Sequence, residues 1–424
     1  MKENHSLKQF YILWSTQSLS QLGSAITAFA LTLWLYEKTG SALSTAALRI
    51  CTYAPYVVMS IFAGALSDRF DKKKTMLFCD LLAAISTIAV FFLYKADKLA
   101  VWHLYLINAV SGLMNTVQQP ASEVAYALVI PKEHYQRTSG LQSLSRSLIT
   151  IGNPVIAAAI YGMAGLDAAI AVDLLTFAIA FLALALFIRI PEVPGKKENE
   201  GSVLKLAKEG LIFLKENPLI LYVILFMSSV NFVASAFDAV LPAYIIPNPR
   251  GGNSVLGIVT SCSGIAMVFG SLIATLMPKP KDRVKVIYLS MLFSLATENF
   301  LLAFSRTPIL WCISQILGWI FVPVMSTNQN VIMRTAVPAR MIGRIYACRN
   351  TLQFFTIPIG LFFGGFMVDE VCEPIMRGNV PLLQTLFGSG KGSGAALMLF
   401  ILGLTGTLLC LLFGHKLKQY HYSD

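Results

Sequence analysis

Ionisable side chains lie inside long apolar stretches of this chain, where bulk water does not solvate them. The acidic ones are Glu123, Asp173, Asp238 and Glu298, and the basic ones are Arg49, Arg146 and Arg349. Because a charge within a bilayer is costly, such residues mark proton relays, ion pathways and sites for charged ligands. A carboxyl group in such a place can take up a proton on one side of a membrane and release it on the other. The chemistry indicated is proton exchange or the binding of a cation.

Amide side chains form a second polar set within the apolar stretches. Each amide can join neighbouring helices through hydrogen bonds worth about 1 kcal/mol or less, or it can line a polar cavity. Their concentration in four of the stretches predicts a polar cavity wall. The ten residues of this set are Gln17, Gln21, Asn108, Asn115, Gln118, Gln119, Asn231, Asn328, Gln329 and Asn330.

The composition indicates a polytopic membrane protein. Only 13% of the residues are charged, 56% are hydrophobic, and the mean hydropathy is +0.66. Soluble domains contain about 25% charged residues. The formal net charge of +11 comes from basic residues scattered through short loops, which argues against a nucleic-acid partner.

Twelve stretches are long enough to cross a bilayer, which takes about 20 apolar residues. The predicted organisation is an N-terminal bundle of six spans over 1–189, a linker over 190–216 and a C-terminal bundle of six spans over 217–424. Within the charged linker, Ser202 is predicted to cap a short amphipathic helix that runs through Lys215 and lies on the membrane surface. In chain order the predicted spans are 9–36, 42–66, 75–95, 101–128, 139–163, 167–189, 217–246, 254–277, 284–304, 308–333, 342–368 and 394–416.

Basic residues are unevenly distributed between the two sides of these spans. Most of the 33 lysines and arginines fall in the loops on the same side as the two termini. Cytoplasmic loops carry the excess of positive charge in membrane proteins. Both termini are therefore predicted to be cytoplasmic.

The sequence lacks the motifs that are typical of enzymes and metal sites. In the stretch GSGKGSG at 388–394, Gly392 follows the lysine, where a phosphate-binding loop needs serine or threonine. The seven cysteines and five histidines are dispersed without the spacing of metal ligands. We therefore expect no enzymatic activity, no cofactor and no metal site. The long outer segment 368–394 has no predicted role.

The stretch GALSDRFDKKK at 64–74 lies in the second inner loop. Together with the twelve-span layout, it resembles the signature loop of the major facilitator superfamily. The resemblance implies an all-α membrane fold of two pseudo-symmetric six-helix bundles that alternate access to a central cavity. It also implies that spans 1, 4, 7 and 10 line the cavity. Glu123 and Asp238 lie on such spans, whereas Asp173 and Glu298 lie on outer, supporting spans.

Residues of this loop are predicted to form a latch on the cytoplasmic side. Gly64 would let span 2 approach span 11, and Asp68 would face the positive N-terminus of span 11. Arg69 would hold Asp68 in place or pair with Asp80. Such contacts exist only when the cytoplasmic side is shut, so they bias the protein towards its outward-facing state. The latch residues are Gly64, Asp68, Arg69, Asp80, Gly343 and Arg344.

Further stretches resemble the macrolide-efflux branch of twelve-span drug exporters. The resemblance implies proton-coupled export of a hydrophobic or cationic small molecule by a monomer in the bacterial inner membrane, in contact with lipids and protons. Lysophospholipid flippases and siderophore exporters of the same fold stay as alternatives, and a non-transporting receptor is the rival from another class. Asn108 departs from the pattern, because many proton-coupled members carry arginine there. The stretches that carry this resemblance are 10–43, 118–133, 169–175 and 343–360.

Overall fold

The chain folds almost entirely into helices. The computed structural model describes residues 2–69, 71–130, 135–190, 203–337, 342–378, 380–417 and 419. Throughout those ranges the regular structure is helical, without a strand. A helix satisfies its own backbone hydrogen bonds, which is what a segment surrounded by lipid must do. The predicted all-α class is confirmed.

The first six predicted spans are contained in five helices. Spans 5 and 6 lie in one helical stretch that breaks at Gly165, where φ is +73°. This left-handed conformation costs glycine little, which explains why the chain can turn there. The five helices are α1 (Lys2–Thr39), α2 (Ala42–Arg69), α3 (Lys72–Lys95), α4 (Val101–Val129) and α5 (Tyr135–Phe187).

The linker helix and the C-terminal spans follow in the predicted order. They are α6 (Val203–Glu216), α7 (Pro218–Ile245), α8 (Asn253–Leu276), α9 (Arg283–Phe304), α10 (Pro308–Trp319), α11 (Val322–Ala336), α12 (Ile342–Phe354), α13 (Thr356–Phe366), a π-helical segment (Met367–Cys372), α14 (Glu373–Arg377), α15 (Pro381–Phe387) and α16 (Ser393–Leu417).

Two predicted spans differ from continuous helices. Span 10 is interrupted between α10 and α11, where Pro323 has no N–H to donate to the carbonyl of Trp319. Span 11 is built from α12, α13 and the π-helical segment, and helical structure continues to Arg377 instead of ending at residue 368. The short helix α15 in the outer segment was not predicted.

The described helices account for the twelve spans. Nine helical segments in the described ranges are long and apolar enough to cross a membrane. One of them, Leu141–Phe187, contains two predicted spans. Helices α2 and α4 occupy the positions of the other two.

Packing divides the chain into two compact units. The first contains Met1–Trp34 and Cys51–Val203, and the second contains Leu35–Ile50 and Leu204–Asp424. The end of α1 and the start of α2 thus pack with the C-terminal helices. The bundle boundaries predicted from sequence, 1–189 and 217–424, stay a prediction.

Glycines allow helix backbones in each unit to come close. In the first unit, a Cβ on Gly112 of α4 would lie 2.1 Å from the carbonyl oxygen of Thr52 on α2. In the second unit, a Cβ on Gly364 of α13 would lie 2.4 Å from the carbonyl oxygen of Ala236 on α7. Because no real Cβ fits at these distances, the small residue is what permits the approach.

The linker helix α6 is anchored on one face. Leu214 is buried in a cluster that also contains Ile224 of α7 and Met333 of α11. Leu211 and Ile212 remain about half exposed. This arrangement is compatible with the membrane-surface location predicted from the sequence.

We predict that Gly112→Val destabilises the protein. The added side chain must push α2 and α4 apart, and overpacking of this kind costs about 1–3 kcal/mol. Thermal unfolding of the purified protein in detergent measures the effect. Gly162→Val on α5 is the matched control, since a Cβ at Gly162 meets no atom within 4 Å. Equal loss of stability in the two variants would contradict the close-packing role of Gly112.

Candidate functional site

An ion pair joins α2 and α7. Arg49 Nη1 lies 2.9 Å from Asp238 Oδ2, and the two side chains are 40% and 42% exposed. Both residues were predicted as functional charges, and pairing of the intramembrane arginines with the acids was expected without a specific partner for either residue. The salt bridge neutralises two charges that lipid alone would leave unsolvated.

Small side chains bring α2 and α7 close enough for this pair. Ala46 lies one turn before Arg49, and Ala239 follows Asp238 directly. Both alanines are almost fully buried and share a cluster with Leu361 of α13. The apolar contact therefore fixes the two helices at the distance that the ion pair needs.

Position along the helices places the pair near one end of each. Arg49 is seven residues from the start of α2, and Asp238 is seven residues from the end of α7. At the rise per residue of an α-helix, each charged residue lies about 10 Å along the helix axis from that end. The excess of basic residues in cytoplasmic loops predicts that this end of both helices faces the outside of the cell.

A network of amides connects α7, α11 and α12. Asn231 Nδ2 donates to the carbonyl oxygen of Gln353 at 2.9 Å. Gln329 Nε2 donates to Gln353 Oε1 at 3.0 Å. Asn231 and Gln329 were predicted as cavity residues, whereas Gln353 was overlooked. An amide within the apolar span 11 was the signal that would have identified Gln353.

The carboxylate of Asp80 is held by amides in the first unit. Gln17 Nε2 of α1 lies 3.4 Å from Asp80 Oδ2, and Gln118 Nε2 of α4 lies 2.5 Å from Asp80 Oδ1. Helix α3 therefore presents its acid to two helices that carry predicted cavity amides. The predicted pairing of Asp80 with Arg69 stays a prediction, because the side chain of Arg69 lies outside the described part of the structure.

Asn108 faces α2. Its Oδ1 accepts a hydrogen bond from Thr52 Oγ1 at 3.0 Å, and its Nδ2 donates to the carbonyl oxygen of Leu104 at 2.8 Å. Thr52 is also the residue whose backbone touches Gly112. Asn108 thus joins two closely packed helices through hydrogen bonds.

Asp173 lies buried among hydroxyl groups. Its oxygens accept hydrogen bonds from Ser24 of α1 at 2.9 Å and from Thr87 of α3 at 3.3 Å. The residue is only 6% exposed. These donors fix an acid in place from two neighbouring helices, as expected of a structural anchor.

Glu298 is buried beside the interruption between α10 and α11. Trp319 Nε1 donates to Glu298 Oε1 at 2.9 Å. A Cβ on Gly318 would overlap the Glu298 side chain, so glycine makes room for it. The acid therefore contacts the last two residues of α10 within the second unit.

The remaining candidates take several different positions. Asn328 Oδ1 accepts a hydrogen bond from the buried Arg283 at 3.0 Å, and Arg349 donates to Asn350 Oδ1 at 3.0 Å. Five side chains are exposed, those of Gln21, Asn115, Gln119, Arg146 and Asn330. Six predicted residues have side chains outside those that the structure describes, namely Gly64, Asp68, Arg69, Glu123, Gly343 and Arg344.

No group of three or more histidine, cysteine, aspartate or glutamate side chains suited to a metal ion occurs in the described ranges. All seven cysteines are free thiols. The candidate site therefore rests on ion pairing and hydrogen bonding.

Comparisons with known proteins find transporters. The profile of the Major Facilitator Superfamily matches residues 13–361. Macrolide efflux protein A of Streptococcus pyogenes is 26% identical over 87% of this chain and 92% of its own length. Multidrug efflux pump Tap of Mycolicibacterium fortuitum is 24% identical over 82% of this chain and 86% of its own.

Solved structures with the same fold include another transporter. A crystal structure of a bacterial homologue of the human lysosomal transporter Spinster superposes with a TM-score of 0.70 at 13% identity, covering 98% of each chain. At this identity the likeness concerns the fold alone. The fold predicted from the sequence is confirmed.

We predict that Trp319→Phe destabilises the protein by removing the indole donor from a buried acid. Loss of a hydrogen-bond partner inside a protein costs about 1–3 kcal/mol. Thermal unfolding in detergent measures the loss. Trp102→Phe is the control, because Trp102 is 60% exposed. If both substitutions lower the unfolding temperature equally, Glu298 does not depend on Trp319.

Proposed function

The chain belongs to the major facilitator superfamily, and from this we propose that it exports a hydrophobic or cationic small molecule, of the macrolide or multidrug kind, in exchange for protons. Its place would be the bacterial inner membrane. Similarity to Macrolide efflux protein A over 87% of the chain supports the direction and the substrate class. The ion pair between Arg49 and Asp238 supports the coupling to protons.

Asp238 is the proposed proton carrier. Among the intramembrane acids whose side chains are described, it is the one bonded to an arginine, while Asp80, Asp173 and Glu298 bond to neutral donors. Neutral donors on neighbouring helices hold an acid in one place. An arginine on a helix that moves can instead stabilise the ionised carboxyl group of Asp238 in one conformation and leave it without a counterion in another.

Movement of α2 supplies the coupling. While Arg49 stays against Asp238, the arginine stabilises the negative charge and the carboxylate needs no proton. When the outer side opens, α2 leaves α7 and takes Arg49 with it. Asp238 is then an acid without a counterion inside a membrane-spanning helix, so it binds a proton from outside. Return of Arg49 expels that proton inwards.

This sequence couples inward proton flow to export. Protons bind Asp238 in the outward-open state, in which a drug is released. They leave when the pair forms again, in the state that takes up drug from the cytoplasm. The energy of the proton gradient therefore favours the return step of each export cycle. Glu123 on α4 is the second proposed acid and would meet a positive charge on the substrate.

We predict that expression raises macrolide resistance in a bacterial host that lacks its own efflux pumps. The expected increase in the inhibitory concentration is about fourfold or more, because active export lowers the drug concentration at its target. Macrolides, cationic dyes and detergents should be compared. An inactive control is supplied by Arg49→Ala/Asp238→Ala. Unchanged susceptibility to all these compounds despite membrane expression would contradict the proposal, and faster transbilayer movement of a lysophospholipid would favour the flippase alternative.

Asp238→Asn is expected to uncouple transport from the pH gradient. The amide keeps the size of the side chain but cannot exchange a proton. In proteoliposomes, imposing a pH gradient should accelerate drug movement in the native protein by about tenfold and leave Asp238→Asn unaffected. Substrate counterflow without a gradient should persist in the variant.

Asp173→Asn is the matched control for this coupling. It neutralises another buried acid, but one held by the hydroxyl groups of Ser24 and Thr87. Its pH-gradient dependence should equal that of the native protein. Retention of full gradient dependence in Asp238→Asn would exclude Asp238 as the proton carrier.

A further inference from the structure

The carboxylate of Asp369 sits on the N-terminus of α2. Its Oδ1 accepts a hydrogen bond from the backbone N–H of Ala42 at 3.1 Å. Its Oδ2 accepts one from the backbone N–H of Leu43 at 2.9 Å and one from Ser41 Oγ at 2.6 Å. Three donors at the start of one helix thus converge on an acid from the end of span 11.

This contact satisfies groups that α2 cannot satisfy alone. The first backbone N–H groups of a helix have no partner within it, and the helix dipole makes that end positive. Ser41 Oγ accepts from the N–H of Ser44 at 3.0 Å, and Asp369 takes the two N–H groups before it. If Asp369 withdrew, these donors would have to turn to water.

The neighbouring backbone is shaped for the contact. A Cβ on Gly365, one turn before Asp369, would lie 2.6 Å from the Cα of Leu43. Any larger residue at 365 would hold span 11 away from α2. Glycine therefore lets the two backbones approach until the carboxylate reaches the helix end.

A second carboxylate four residues later makes the same kind of contact elsewhere. Glu373 Oε1 accepts hydrogen bonds from the backbone N–H groups of Gly392 and Gly394 at 2.9 and 3.2 Å, at the start of α16. The glycine-rich stretch 388–394 thus binds a carboxylate of its own chain instead of a phosphate. Helix α16 and Glu373 both belong to the C-terminal spans, so this contact joins elements of one predicted bundle.

The π-helical segment lies between α13 and these contacts. It spans Met367–Cys372 and includes Asp369. Such wide helical turns are rare and occur frequently at functional sites. Here the segment contains Asp369 and directly precedes Glu373. It therefore positions Asp369 at the N-terminus of α2 and Glu373 at the N-terminus of α16.

We propose that Asp369 is an outer latch, which holds the start of α2 against the end of span 11 and releases it when the outer side opens. The same two spans carry the predicted inner latch at their opposite ends, with Asp68 at the end of α2 and the start of span 11 as its target. Each span would then offer an acid to the N-terminus of the other. Closing one latch requires opening the other if the protein alternates access.

The latch rests on the alternating-access part of the proposed function and does not depend on which compound is carried. The latch also keeps Arg49 paired with Asp238, because Arg49 lies on the same helix as the N–H groups that Asp369 binds. Release of Asp369 frees the first turns of α2, which carry Arg49 away from Asp238.

Distance measurements between two spin labels test the latch. Labels on cysteines introduced at the exposed positions Lys38 and Ile309, in the full chain with its seven native cysteines replaced, report the outer end in liposomes without substrate. Asp369→Ala should raise the ratio of separated to closed populations by about tenfold or more, since hydrogen bonds to a charged group are strong. Absence of drug keeps this result independent of the efflux assay.

Glu373→Ala is the matched control, since it removes an acid from a helix end without releasing α2. It should lower thermal stability and leave the distance distribution unchanged. An unchanged distribution in folded Asp369→Ala overturns the latch, and so does an equal shift in Glu373→Ala. Should Asp369→Ala not fold, Asp369→Asn decides in the same assay, where a smaller shift in the same direction supports the latch and no shift overturns it.

Discussion

A charge inside a bilayer must find a partner, and this requirement organises the polar residues of the protein. Asp80 accepts hydrogen bonds from two amides, Asp173 from two hydroxyl groups and Glu298 from an indole. Asp238 instead faces the guanidinium of Arg49. The first three acids bond to neutral groups that need not move, whereas the fourth depends on a charge carried by another helix. That difference is why we propose Asp238 as the acid whose charge responds to conformation.

The start of α2 concentrates the features that such a response needs. Ala46 provides close contact with α7, Arg49 supplies the charge, and the N-terminal N–H groups bind Asp369. Because these features share the first turns of one helix, a rigid movement of α2 would break all of them together. Opening of the outer side would thereby be linked to proton binding without any separate signal.

Much of this fold could be predicted from the sequence, because long apolar runs predict membrane-spanning helices, and the gap between predicted spans 5 and 6 contains the break at Gly165. The π-helical segment depends on tertiary packing, and apolar length alone cannot reveal it. Pro323 was a local signal for the interruption between α10 and α11, but the predicted span 308–333 was based on apolar length. For the site, the position of a charge within an apolar stretch identified Arg49 and Asp238 separately. Their pairing depends on how α2 packs against α7, which one sequence does not encode in any local pattern. Asp369 was not predicted for a different reason. An acid near a predicted loop has no distinctive sequence pattern, and its role follows only from the helix N-terminus that lies beside it in the structure.

Proton release on drug binding tests the central role of Asp238 most directly. A pH indicator in weakly buffered detergent solution would record protons released when a macrolide is added to the purified protein. We expect release from the native protein that depends on the starting pH and disappears in Asp238→Asn, with drug binding retained. Equal proton release by the two proteins would contradict it, because another group would then carry the proton.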